Sequence, residues 1–191
     1  MLRIIRSASY PTRPWKNGGG TTRDIAVSPR GASLDDFDWR LSLAQVDRDG
    51  PFSRFDNVDR TLVLLSGAMT LQEQDRRIDL VRHQPFTFAG ERAIEATVAG
   101  GATLDFNVMT RRGRTRHVVR RESFSTQTNV AAAAGRTIVV FALDGGLTVG
   151  AEQLNTYDTA IISASQVAVA AATGVVATLV IEIDDFHPNV L

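Results

Sequence analysis

The sequence predicts an all-β protein made of two tandem β-barrel units. Helical periodicity is nearly absent, whereas short apolar or alternating runs recur between turn residues at a spacing of about 8–12 residues. One strand pattern also occurs twice along the chain. With 191 residues, of which 43% are hydrophobic, the chain is long and apolar enough to fold around a substantial core.

Each predicted strand is a run of β-branched, aromatic or alternating residues bounded by Gly, Asp, Asn or Pro. The first nine are Leu2–Arg6, Thr22–Val27, Trp39–Val46, Thr61–Ser66, Met69–Gln72, Arg77–Val81, Phe86–Phe88, Ile94–Val98 and Leu104–Thr110. A second series comprises Arg116–Arg121, Arg136–Leu143, Leu147–Val149, Thr159–Ile162, Gln166–Ala170 and Val175–Ile183.

A weak internal repeat supports the division into two units. The segment LLSGAMTL at 64–71 resembles ALDGGLTV at 142–149, and LDFNV at 104–108 resembles LVIEI at 179–183 at a similar offset. The first pair has glycine between two apolar runs, a pattern that predicts a β-hairpin in each unit.

The two halves of the chain differ in how many polar residues they offer for a functional site. The segment 166–180 is almost entirely Ala, Val, Thr, Ile and Leu, so the second half offers little chemistry. We therefore expect an N-terminal barrel with a ligand pocket at residues 1–112 and a C-terminal barrel, mainly a scaffold, at 113–191.

Composition narrows the classes of function. Lys and Arg together number 21, as do Asp and Glu, so the formal net charge is zero and a nucleic-acid-binding surface is disfavoured. The absence of cysteine excludes disulfides, thiolate metal sites and cysteine nucleophiles. The chain shows neither the apolar run of a signal peptide nor the roughly 18 apolar residues of a membrane span. We expect a soluble cytoplasmic protein with no nucleic-acid or membrane partner.

Familiar catalytic and metal motifs are missing. His83, His117 and His187 are isolated and lack the close spacing by which one strand or helix binds a metal. The chain contains no GxSxG motif. The run Gly18–Gly20 has neither the P-loop nor the dinucleotide spacing, and no predicted helix follows it. We expect no cofactor, no metal and no nucleotide site.

Two predicted strands combine an apolar face with a polar one, because side chains alternate along a strand. The polar faces hold Arg40, Ser42 and Ala44 on one strand and Asp105, Asn107, Met109 and Arg111 on the other. If these faces meet inside a barrel, their guanidinium and amide groups form a pocket suited to a carboxylate. If they point to solvent they have no such role, and alternation does not distinguish the two.

Several segments together resemble the signature of the HutD/Ves family. They are WKNGGGTT at 15–22, DWRLSLA at 38–44, GPFSRF at 50–55, DR at 59–60 with LLSG at 64–67, and DFNVM at 105–109. Their order and spacing are similar to those of the family from about residue 2 to residue 112, and the second half of the chain is compatible with it.

The resemblance implies a bicupin, with two RmlC-like jelly-roll barrels in one chain. It also implies a role in modulating histidine utilisation, through a small intermediate such as formylglutamate, formiminoglutamate or urocanate; a sister group carries a stress-response label. Metal-dependent cupins have a His-x-His motif followed by Glu on one strand and a further His on a later one. The equivalent stretch, Arg40 to Arg60, contains no histidine, so we expect no catalytic metal.

We therefore interpret the chain as a non-enzymatic, small-molecule-binding bicupin. One bidentate Arg–carboxylate pair would orient a ligand in the N-terminal barrel, and a dicarboxylate would use two. The residues expected to bind it are Asn17, Arg40, Ser42, Arg60, Asn107 and Met109. Those expected at the rim, in a lid whose glycines follow a tight positive-φ path, are Trp15, Lys16, Gly18, Gly19, Gly20 and Phe55.

Two other interpretations stay open. The first is a metal-free hydrolase or isomerase acting on such an intermediate, with Asp105 and Asp24 as its acid/base groups. The second is a protein-interaction or stress-response module in which the apolar segments 166–170 and 175–183 form a homodimer face. The same two segments are equally consistent with an ordinary core.

Overall fold

A computed structural model describes residues 1–172 and 174–186 of the chain. Within this part, the regular secondary structure is β apart from a short 3-10 turn at Ser7–Ser9, so the predicted all-β class is confirmed. The strands are β1 Leu2–Ile5, β2 Thr12–Pro14, β3 Gly20–Ser28, β4 Trp39–Val46, β5 Gly50–Pro51, β6 Val58–Glu73, β7 Arg76–Asp79, β8 Pro85–Ala89, β9 Glu95–Arg111, β10 Thr115–Phe124, β11 Thr128–Ala142, β12 Leu147–Val149, β13 Glu152–Leu154, β14 Thr159–Ala171 and β15 Val176–Asp185.

The chain divides into two compact units. The N-terminal unit is Pro11–Arg112, and the C-terminal unit combines Met1–Tyr10 with the chain from Gly113 onward. The first ten residues, which we expected in the N-terminal barrel, therefore belong to the other unit. The reason is strand pairing: β1 lies antiparallel to β14, and the Tyr10 hydroxyl donates a hydrogen bond to the Tyr157 carbonyl at 2.7 Å.

Three central strands of the N-terminal unit position the site. Its sheet runs β2-β3-β4-β9-β6-β7, with β5 paired to β9 and β8 paired to β6. Both β4 and β6 are antiparallel to β9. One face of these strands carries fully buried apolar side chains such as Leu41, Leu43, Phe106 and Val108. The alternate residues form the opposite face, which carries the polar groups described below.

The C-terminal unit is built around an apolar interior. Its sheet runs β10-β15-β11-β14-β12-β13, with β1 paired to β14. Buried side chains from β11, β12 and β14, including Val140, Leu147, Val149, Ile162 and Val169, form one cluster. No helix of the described residues is long and apolar enough to cross a membrane.

The glycine-centred segments of the repeat are not hairpins, contrary to the sequence prediction. The chain passes through Gly67 within the single strand β6, which pairs with β9 on both sides of a register shift. A side chain at Gly67, whose φ is +81°, would lie 2.8 Å from the Thr103 methyl group. In the other unit, β12 pairs with β13 and β14 while β11 pairs with β14 and β15. In neither segment do the two apolar runs pair with each other, as a hairpin would require.

Candidate functional site

The polar faces of β4, β6 and β9 line one cavity of about 490 Å³ inside the N-terminal unit. The register of strand pairing determines which side chains lie next to one another in this cavity. Met109 of β9 lies between Arg40 of β4 and Arg60 of β6, and Asn107 lies between Ser42 and Leu62 in the next row. These pairings explain how a period of two along each strand brings two arginines and an amide into one space.

The Arg60 guanidinium lies in a largely apolar cage at the bottom of the cavity. It lies 5.4 Å from the ring centre of Phe52, 5.5 Å from that of Phe55 and 5.0 Å from that of Phe88. Aromatic faces attract a cation, and the cage leaves the residue only 7% exposed. Burial lowers the pKa of Arg60 to about 10, so the side chain remains charged at neutral pH.

The hydrogen bonds of Arg60 connect it to the amide of β9. Its Nη1 donates to the Ser53 carbonyl at 3.1 Å, and its Nη2 donates to Asn107 Oδ1 at 3.0 Å. Its Nε has no hydrogen-bond partner in the described part of the chain. Because Asn107 Oδ1 faces Arg60, the Asn107 amide nitrogen is directed to the other side, where it donates to Asp105 Oδ1.

Asp105 is a buried carboxyl group in the cavity lining. It is 1% exposed, and its Oδ2 makes no hydrogen bond to any described residue. Burial raises the pKa of Asp105 to about 7, although the positive charge of Arg60 and the hydrogen bond from Asn107 both favour ionisation. A carboxyl group with this pKa can exist in either form at neutral pH and can take up or release a proton.

Arg40 reaches the cavity from β4. Its Nη2 forms an ion pair with Asp24, which also pairs with Arg13, and its Nη1 lies 4.0 Å from Met109 Sδ. Its side chain is 13% exposed. Asp24, one of the two predicted acid/base groups, does not line the cavity, because its carboxylate is turned toward these two arginines. Asp24, which we expected near the pocket, lies beside it through its ion pair with Arg40 but does not line it.

The loop between β2 and β3 forms part of the cavity rim. Trp15, Lys16 and Asn17 line the cavity, and Trp15 Nε1 donates to Thr22 Oγ1 at 2.8 Å. Asn17 Oδ1 accepts a hydrogen bond from the Gly19 amide at 2.9 Å, which turns the loop locally. Lys16 and Asn17 are exposed, and Trp15 is half-buried.

The three loop glycines agree only in part with the predicted positive-φ path. They do not line the cavity, and only Gly18 has a positive φ, of +66°. Gly20 begins β3 opposite Val46, and a Cβ there would lie 2.1 Å from the Gln45 carbonyl oxygen. Close strand approach, rather than a left-handed backbone, is what requires glycine at position 20.

All six residues predicted to bind a ligand, and three of the six predicted at the rim, line the same cavity. The six from the ligand-binding set are Asn17, Arg40, Ser42, Arg60, Asn107 and Met109, and the three from the rim set are Trp15, Lys16 and Phe55. Arg111 follows on the same face of β9 but donates instead to the Phe37 and Asp35 carbonyls, both at 2.9 Å.

Sequence reasoning missed several lining residues. Leu62 follows from the alternation that places Arg60 inward, so its position could have been inferred. Phe52 and Ser53 lie in the GPFSRF segment, of which we expected only Phe55 at the site, and Leu34 lies in a loop without a recognisable pattern. The remaining lining residues not considered for the site are Thr22, Val46 and Pro51.

The histidines lie away from this cavity where the structure describes them. His83 has a φ of +64° in a turn after β7, and His117 lies in β10 opposite Ile183. His187 lies outside the described residues. Among residues 1–172 and 174–186, no three His, Asp or Glu side chains are grouped so that they could hold a metal ion.

Curated relatives share extensive sequence similarity with this chain. Protein Ves of Citrobacter koseri is 38% identical over 140 residues, which cover 72% of this chain and 66% of that protein. An uncharacterized 21.2 kDa protein in the hutC 3′ region of Pseudomonas putida is 38% identical over 111 residues, covering 56% of this chain and 57% of that protein. The chain thus matches less than two thirds of the length of these relatives.

Solved structures share the fold over nearly the whole chain. A conserved protein of unknown function from Pseudomonas aeruginosa PAO1 has a TM-score of 0.86 and 30% identity, with 96% of this chain and 99% of that chain covered. HutD from Pseudomonas fluorescens SBW25 has a TM-score of 0.83 and 27% identity, with coverage of 98% and 100%. The bacterial pirin YhhW of Escherichia coli, 10% identical with a TM-score of 0.69 and coverage of 96% and 98%, shares the fold alone.

These similarities confirm the predicted bicupin fold class. The model of the HutD family matches residues 7–179, which is most of the chain and extends across both units. The match to Protein Ves and the likeness to HutD of Pseudomonas fluorescens agree with it. This chain therefore belongs to the HutD family.

Proposed function

We propose that this protein is a non-enzymatic binding protein that takes a small carboxylate metabolite into the cavity of its N-terminal barrel. The observation that carries the proposal is the pairing of Arg40 and Arg60 on either side of Met109 in one cavity. Arginine is the side chain best suited to planar recognition of a carboxylate. The volume of about 490 Å³ suits a metabolite rather than a macromolecule.

The charge of the lining favours an anion. Lys16, Arg40 and Arg60 are cationic, and Asp105 is the one carboxyl group among the described residues that line the cavity. Asp24 neutralises part of the Arg40 charge from outside the lining. A cavity with apolar walls and excess positive charge concentrates field lines at its mouth and draws anions in.

The two arginines have different parts in the proposed complex. Arg60 is caged, and two of its nitrogens already donate to Ser53 and Asn107, so it contributes mainly positive potential and the orientation of Asn107. Arg40 is more accessible, and its Nη1 lies beside the Met109 sulfur, a weak acceptor that a carboxylate oxygen would replace. Arg40 is therefore the proposed direct contact.

Family membership supports a place for the ligand in histidine utilisation. One relative is described by its position in the hutC 3′ region, and one structural neighbour is itself HutD. The proposed ligands are the small carboxylates formylglutamate, formiminoglutamate and urocanate, bound in the cytoplasm without a cofactor. Binding one of them would let the protein report the level of an intermediate to the pathway.

Isothermal titration calorimetry with each of the three carboxylates tests this function. We expect at least one to bind, and Arg40→Ala to weaken its binding by about 10- to 100-fold, because a hydrogen bond to a charged group contributes about 1.5–3 kcal/mol. The matched control is Arg77→Ala, which removes a guanidinium that is 69% exposed and outside the lining. It should leave the affinity unchanged.

Two results would contradict the proposal. One is the absence of binding by all three carboxylates, and the other is equal binding by Arg40→Ala and the parent protein. Arg60→Lys is a better second variant than Arg60→Ala, because it keeps a buried cation beside Asp105 while it removes the fork that holds Asn107. Circular dichroism of each variant checks that the fold is retained.

Acid/base catalysis on the same class of ligand is the second candidate function. The observation that favours it is Asp105, a cavity carboxyl group with a pKa near 7, which is suited to moving a proton. Turnover of a carboxylate by chelator-treated protein, lost in Asp105→Asn with binding retained, would favour the enzyme over the binding protein. Binding without turnover favours the binding protein.

A further inference from the structure

The unused hydrogen-bonding atoms of the cavity indicate how it recognises an anion. Asp105 Oδ2 and Arg60 Nε are both buried, and neither has a hydrogen-bond partner in the described part of the chain. Polar atoms in protein interiors are nearly always paired, and an unpaired one costs free energy. Both atoms belong to residues that line the cavity. Each atom is closed to solvent in the ligand-free protein, so a ligand pairs with it only after a small movement of the side chains that cover it.

The hydrogen-bonding geometry around Asp105 separates its two oxygens. Oδ1 accepts from the Asn107 amide, which is itself oriented by Arg60, whereas Oδ2 has no donor. An ionised carboxylate is stabilised by donors at both oxygens, whereas a neutral acid needs an acceptor for its O–H group. The arrangement thus suits a proton on Oδ2, provided that an acceptor lies in front of it.

We propose that Asp105 takes part in ligand binding as a neutral hydrogen-bond donor, so that a carboxylate enters this cavity together with one proton. The inference rests on the proposed function, since it concerns the same cavity and the same ligand class. The ligand oxygen accepts from Asp105 Oδ2–H, and the proton comes from solvent. No covalent bond to the ligand forms or breaks.

The charged groups around Asp105 support this coupling. Arg60 faces it from β6, Arg40 lines the cavity from β4 in an ion pair with Asp24, and Lys16 lies at the rim. Burial lowers the pKa of Arg60 to about 10, so Arg60 keeps its charge at neutral pH. The residues directly opposite Asp105 on the neighbouring strands are Ala44 and Leu64, which do not titrate. Asp105 is therefore the group in this lining whose charge changes near neutral pH.

The sign of the pH dependence follows from the pKa of Asp105, which is about 7 in the free protein. A bound carboxylate beside it disfavours a second negative charge and raises that pKa further. Below about pH 6 the proton is already present, and affinity is constant. Above pH 7 a proton must be taken up, and affinity falls by up to about tenfold per pH unit.

Calorimetric titration with formylglutamate between pH 6 and pH 8.5 tests the coupling. Both carboxyl groups of this probe stay ionised over the whole range, so its own charge does not change. At pH 8, titrations in two buffers of different ionisation enthalpy should reveal uptake of about one proton per site. The affinity of the parent protein should be about tenfold weaker at pH 8 than at pH 6.

Asp105→Asn and Glu95→Gln form the matched pair of variants. Asparagine keeps a neutral donor at the position of Oδ2, so binding should become independent of pH and take up no proton. Glu95 is an exposed carboxylate on the same strand, outside the cavity lining, and its replacement should preserve the pH dependence of the parent protein. If Asp105 had only a structural role, Asp105→Asn would change the affinity by the same factor at every pH.

The outcomes separate the inference from the proposed function. If formylglutamate binds without proton uptake, the inference is overturned and the proposed function stands. If formylglutamate does not bind at any pH, the inference is overturned for this probe. Carboxyl carbon NMR of the free protein, with Asp105 assigned by the Asp105→Asn variant, tests the first step without any ligand. A titration midpoint below pH 5 overturns the inference, and a midpoint near pH 7 together with proton-linked binding supports it.

Discussion

At the scale of single residues, Asp105 and Arg60 are opposite charges buried in one cavity, and Asn107 bridges them. The pKa of Asp105 is raised mainly by burial, and Arg60 limits the increase. The site therefore keeps a carboxyl group near its midpoint at neutral pH, where a small change of surroundings alters its charge.

The ionisation of Asp105 should appear in the stability of the free protein. An unfolded Asp has a pKa of about 3.9, whereas that of folded Asp105 is about 7. Between these values the folded state holds the proton more tightly, so its stability falls as pH rises. Relative to Asp105→Asn, the parent protein should lose about 2–3 kcal/mol between pH 5 and pH 8. Urea unfolding at both pH values measures the difference, with Glu95→Gln as the control.

Equal stability differences at pH 5 and pH 8 would show that Asp105 is already ionised in the fold. In that case, its carboxylate would be an ordinary partner for Arg60. Proton-linked binding would then lose its physical basis, whereas the attraction of a carboxylate to Arg40 would be unaffected.

At the scale of elements, strand alternation predicted which side chains share a face. It grouped Arg40 with Ser42, and Asp105 with Asn107 and Met109, because side chains alternate along any strand. It could not predict that these faces point into a cavity, since the pattern is the same for a solvent-facing sheet. Arg60 as a ligand residue came from the family resemblance rather than from alternation.

Glycine was the least predictable residue type at this scale. The sequence places glycine at positions 20 and 67 but does not show whether a turn, a bend or a close approach requires it. Gly67 lies within β6, so it does not form the predicted hairpin turn, and Gly20 lies in a tight strand pair without the positive φ that we expected. The run Ala131–Ala134, whose residue type favours a helix, lies in the strand β11.

Gly20→Ala tests the close approach of β3 and β4. The added Cβ would overlap the Gln45 carbonyl oxygen, so we expect a loss of about 2–3 kcal/mol in the free energy of unfolding. Gly50→Ala is the matched control, because nothing lies within 4 Å of its added Cβ and its φ is not positive. Urea unfolding of the two variants should give a clearly lower midpoint for Gly20→Ala, and equal midpoints would contradict the account of this strand pair.

At the scale of the whole molecule, the repeated β-units and the family signature were enough to predict a bicupin. The boundary of the units was harder, because β1 is far in sequence from β14, the strand it pairs with. The segments considered for a homodimer face carry side chains such as Val169, Leu179 and Ile183 that are buried in the single chain. The polar cavity belongs to the N-terminal unit, and the proposed function is assigned to that unit.

The central claim is that a carboxylate binds beside Arg40 and Arg60, and a crystal structure of the protein with formylglutamate tests it most directly. We expect ligand density in the cavity lined by β4, β6 and β9, with one carboxylate within hydrogen-bond distance of Arg40 and an oxygen atom facing Asp105 Oδ2. Ligand density only outside this cavity, with Arg40 still turned toward Met109, would contradict the claim.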